Sequence, residues 1–86
     1  MKNEGWLMDS LTKNTKRFHR DEESWQSHPY VFIDSGKPMI NGPALLKRRD
    51  YLYISDALKE WKRLIREGWT IVRPQWGVEY EEPYIG

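Results

Sequence analysis

The sequence contains no cysteine, so neither a disulfide framework nor a thiolate zinc site can be built from it. It has no apolar run near the ~20 residues of a membrane span. Its first stretch holds no apolar core of signal-peptide type either. The expectation is a soluble, cytoplasmic protein with no membrane partner. A surplus of one charge is missing too. Lys and Arg total 14 against 13 Asp and Glu, a net charge of +1, which argues neither for nor against a nucleic-acid partner. At 86 residues the chain is long enough for one domain with a small core.

What is present is aromatic. Five tryptophans stand beside five tyrosines and two phenylalanines. Burying one tryptophan contributes on the order of 4–6 kcal/mol before ordering costs, so a few of them can anchor a core whose aliphatic content is thin.

Local patterns give the elements. Gly5, Trp6, Leu7 and Met8 read as a first strand, and Thr15 to His19 as a second, joined by a turn at 11–14. Asp21, Glu22, Glu23 and Ser24 form a turn that delivers Trp25. Tyr30, Val31, Phe32 and Ile33 are a strand bounded by Pro29 and by Asp34, Ser35 and Gly36. Asn41-Gly42 is a turn dipeptide, and Ala44 to Tyr53 is extended. Ala57, Leu58, Trp61, Leu64 and Ile65 share one face of a helix that Ser55 caps, Asp56 complements and Gly68 ends. Trp69 to Val72 is a closing strand stopped by Pro74. The order predicts an α+β fold: a small antiparallel sheet of three to five strands, the amphipathic helix on one face, and Trp61 and Trp69 in the interface. The domain is expected over residues 1–76, with an acidic, aromatic tail at 77–86.

Several pieces recur together in a known family: Gly5-Trp6-Leu7, Asp21-Glu22 with Ser24-Trp25, and Leu45-Leu46-Lys47 with Arg49. To these add Ala57, Trp61, Leu64 and Gly68-Trp69 along the helix, and Pro74-Gln75-Trp76. Over residues 5–76 the chain resembles a family of small proteins of marine cyanobacteria and their phages, a domain of unknown function. The resemblance implies that cellular setting and carries no site residues.

Chemistry-bearing constellations are scarce. His19 and His28 flank Asp21, Glu22 and Glu23, but their spacing fits no helical or turn pattern of a metal site. They read as solvated residues. Ser24 sits in no G-x-S-x-G turn, and Gly36 and Gly42 precede no helix that would complete a phosphate cradle. No catalytic residue, metal or cofactor is expected, and the protein is not read as an enzyme. Two binding surfaces remain. Lys59, Lys62, Arg63 and Arg66 form one helical stripe that joins Lys47, Arg48 and Arg49 as an anion or nucleic-acid surface. Asp56, Glu60 and Glu67 are spaced to neutralise part of it. Such a surface also requires the cluster and the stripe to share a face. Trp25, Trp76, Tyr80 and Tyr84 are the candidates for a protein partner, since Trp, Tyr and Arg dominate interface hot spots. The tail, with Glu81 and Glu82, is complementary to Arg48, Arg49 and the stripe. The preferred reading is a regulator or adaptor that binds another protein, as a monomer or weak homodimer. Nucleic acid is the alternative.

Overall fold

Strand pairing begins where two short turns reverse the chain. In the computed structural model, which describes residues 4–76, β1 (Glu4–Met8) and β2 (Thr15–Arg20) pair antiparallel with Leu7 opposite Lys16. Asp9 closes the turn between them, its carboxylate accepting from the Leu11 backbone N–H and the Thr12 hydroxyl, both at 3.0 Å. Lys13 takes the left-handed conformation, φ 65°, that so tight a reversal needs. In the next connection the Ser24 hydroxyl donates to the Asp21 carbonyl at 2.6 Å and accepts from the Tyr30 N–H at 3.1 Å. That ties the loop to the head of β3 (Tyr30–Lys37). β4 (Leu45–Tyr53), α1 (Ile54–Arg66) and β5 (Thr70–Ile71) follow.

The described residues form a five-stranded antiparallel sheet in the order β4-β3-β2-β1-β5, with α1 carrying the chain from one edge to the other. This is the α+β architecture the sequence predicts, with the helix on one face and a closing strand.

Three local expectations change. β3 does not stop at Ile33 but continues to Lys37, because Asp34 is ion-paired within the sheet and an indole covers Gly36. Ser55 is not the helix cap: β4 runs straight into α1, Tyr53 holds the extended cap position without a side-chain bond, and the Ile54 N–H donates to the Pro29 carbonyl. The closing strand shortens to Thr70 and Ile71. The helix C-terminus is as expected. Gly68 has φ 100°, the Trp69 N–H reaches the Leu64 carbonyl and the Gly68 N–H reaches that of Ile65, a Schellman stop.

Side chains alternate across the strands. One face turns Leu7, Phe18, Val31 and Ile33 toward Ala57 and Leu64 of the helix, and all six are buried. Leu52, Ile54, Trp61 and Trp69 pack against them. Gly5 lets the helix come close: a Cβ there would stand 2.7 Å from the Trp61 ring. Ile65, grouped by spacing with the apolar stripe, is 40% exposed.

Candidate binding surface on the open face of the sheet

Among the described residues no helix covers the other face. Trp76 folds onto one part of it, edge-on to Trp6 at 4.4 Å between centroids and flat enough on Gly36 that a Cβ there would meet its ring at 2.7 Å. Both indoles are buried. The remainder is built from two cross-strand rows. Arg17, Asp34 and Arg49 stand opposite one another on β2, β3 and β4, and His19, Phe32 and Tyr51 form the adjacent row. Tyr30 and Tyr53 pair beyond them.

Asp34 organises the first row. It is 3% exposed, and a buried carboxylate must be paired. Arg49 donates through Nε to Oδ1 at 2.6 Å and through Nη2 to Oδ2 at 3.0 Å, a bidentate pair, while His19 Nε2 lies 2.7 Å from Oδ2. Burial pushes the carboxyl pKa up, but the bonds from Arg49 and His19 outweigh it and hold the group below its ordinary value. Arg49 is raised in turn, chiefly by its hydrogen bond to Asp34. Arg17 lies over the Trp6 ring at 5.3 Å.

The second row is a run of rings. Arg49 covers the Phe32 ring at 4.5 Å; Phe32 tilts against Tyr51 at 4.8 Å; Tyr51 stacks on Tyr30 at 4.8 Å and 12°; Tyr30 meets Tyr53 edge-on. The Tyr51 hydroxyl donates to Asp21 at 2.5 Å, a bond that lifts its pKa to about 12 and lowers that of Asp21. Tyr51 remains 47% exposed and Tyr30 36%. The rings are therefore fixed by one another and by Asp21 while still facing solvent.

The residues singled out from sequence fall in several places. Trp25 projects from the loop before β3 and is 80% exposed, whereas Trp76 is only 6% exposed. Tyr80 and Tyr84 lie outside the described residues, as does the tail hypothesis built on Glu81 and Glu82. The basic cluster is split. A bulge in β4 sets Lys47 out of register, Arg48 points to the helix side where it pairs with Asp50, and Arg49 points to the open face. Lys59, Lys62 and Arg66 are exposed on the helix, and Arg63 is held by both Glu60 and Glu67. Arg49 thus lies on the opposite side of the sheet from the helix stripe, while Arg48 lies on the helix side near Arg63. His28 contacts Ser27 and the Tyr53 ring rather than His19. Among the described residues no group of three His, Cys, Asp or Glu side chains is placed to hold a metal, and no helix is long and apolar enough to cross a membrane.

Sequence reasoning placed Tyr51 beside Arg49 but missed Arg17, Phe32 and Asp34 as members of the same surface. Alternation within a strand was visible, but the register that brings three strands into rows is set by turns far apart in the chain.

A family model described as "Protein of unknown function (DUF1651)" matches residues 4–76, and the chain belongs to that family. No curated protein and no solved structure matches it.

Proposed function

We propose that this DUF1651 member is a non-enzymatic binding module that docks another protein on the open face of its sheet, acting as a small regulator or adaptor. One observation supports the reading above the rest: Arg49, Tyr51 and Tyr30 are exposed around a half-buried Phe32, and the run is already ordered by its own contacts. Aromatic and arginine side chains dominate binding energy at protein interfaces. When they are held in place beforehand, association loses little side-chain entropy. Trp25 extends the same chemistry from the neighbouring loop.

A nucleic-acid partner fits this face less well. Single strands bind by laying bases on free ring faces beside unpaired cations. Here the rings stack on one another, Arg49 caps Phe32, and Asp34 neutralises Arg49. The setting we infer is the cytoplasm, supported by the lack of cysteine. A cyanobacterial cell is the host that the sequence resemblance supports.

The test is affinity capture from cell extract with two paired variants. Tyr30→Ser with Tyr51→Ser should lose the captured protein; Lys62→Ser with Arg66→Ser, on the helix, should keep it. Loss with the helix pair alone, or recovery of nuclease-sensitive material instead of protein, would contradict the proposal.

A further inference from the structure

The helix leaves one corner of its own face uncovered. It starts beside β4, where Ile54 is tied to Pro29, and it ends where Thr70 pairs with Met8 of β1. Its course is therefore diagonal, and beside it on that face lies the cross-strand row Lys16, Ser35 and Arg48. A cleft of about 330 Å³ lies between Lys16 and Arg48 of that row and the helix side chains Glu60 and Arg63. Its apolar floor is chiefly the half-buried Leu52, above Ile33 in the core.

Among the residues lining this cleft, Lys16, Arg48 and Arg63 stand against two carboxylates, Asp50 and Glu60. Arg48 is matched by Asp50, its Nε and Nη2 both 2.9 Å from Oδ1. Arg63 is matched by Glu60 and again by Glu67, which together raise its pKa. Lys16 has no carboxylate within ion-pair distance among the described residues; its Nζ donates to the Ser35 hydroxyl at 3.0 Å. An ammonium carries three donors, and a neutral hydroxyl offsets none of its charge.

We propose that the cleft binds a small organic monoanion. A carboxylate lies on Lys16 Nζ, which the Ser35 hydroxyl holds in place, and an apolar chain lies chiefly on Leu52. One unmatched positive charge selects one negative charge. A phosphate dianion would set its second charge against Asp50 and Glu60. At roughly 30 Å³ of liquid volume per water-sized group, the cleft holds a chain of about ten heavy atoms. Apolar floors with a few placed polar groups are the usual make-up of small-molecule sites.

Amide NMR titration of the full chain with hexanoate, hexanamide and inorganic phosphate tests this. Hexanoate should shift the resonances of Lys16, Ser35, Arg48 and Glu60 saturably, and the neutral hexanamide should bind at least tenfold more weakly. Lys16→Gln, with an otherwise unchanged spectrum, should weaken hexanoate at least tenfold, and Ser35→Ala severalfold. Absence of shifts in the cleft, equal binding of the amide, or unaltered binding by Lys16→Gln would overturn the proposal. Phosphate binding as tightly as hexanoate would also overturn it, since the apolar floor would then contribute nothing.

Discussion

Arg49 grips both carboxylate oxygens of Asp34 from the neighbouring strand, at 2.6 and 3.0 Å, on the face of the sheet opposite α1. The pair connects folding to function. It satisfies a buried charge at the centre of β3, and it holds the guanidinium that lies over Phe32. Replacing Asp34 by Asn removes charge-assisted bonds that typically contribute about 1.5–3 kcal/mol. Urea denaturation at neutral pH should show a loss of that order.

The same carboxyl gives a pH signature. Its folded pKa is held below the ordinary 3.8, so its contribution is fully present above that value. The contribution is lost as pH falls below about 3.8 and through the folded pKa. Stability measured across the acid range should fall more steeply in wild type than in Asp34→Asn. Parallel curves would show that the pair contributes nothing.

Tyr51 offers a local spectroscopic probe. Donation to Asp21 pushes its pKa up to about 12, while Asp21→Asn removes the negative acceptor. Absorbance titration should find Tyr51 ionising late in wild type. In the variant it should return toward the ordinary value of 10.0.

Much of the architecture was legible from residue pattern alone. The helix declared itself through Ala57, Leu58, Trp61 and Leu64 with Gly68 as its stop, and the strand cores through Leu7 and Val31 to Ile33. Those signals are local and periodic. The binding face was not legible in the same way. Asp34-Ser35-Gly36 has the composition of a turn, and only Arg49, His19 and Trp76, distant in sequence, make it a strand. Lys47, Arg48 and Arg49 looked like one cluster because sequence proximity hides the alternation and the bulge that send them different ways. Trp76, an interface candidate by its polar context, is buried because Gly36 leaves room for its ring.

Close approach at Gly5 should be costly to block. An alanine Cβ would stand 2.7 and 2.9 Å from two atoms of the Trp61 ring, so Gly5→Ala should destabilise by about 1–3 kcal/mol. In a Trp61→Leu background the same change should cost distinctly less, and a double-mutant cycle reads the difference.

Exposure and stability should separate cleanly for two aromatics. Phe18, fully buried, should cost about 3–5 kcal/mol on truncation to alanine. Trp25, 80% exposed, should change stability by no more than about 0.5 kcal/mol while weakening partner capture. Thermal unfolding of the two variants checks both values.

The central claim is that the open face, not the helix, meets the partner. Amide hydrogen exchange of the domain, free and bound to the captured protein, measures this directly. The account predicts that protection gained on binding concentrates in β2, β3 and β4 around Phe32, Arg49 and Tyr51. Protection gained instead along the helix at Lys59, Lys62 and Arg66, with the strands unchanged, would contradict it.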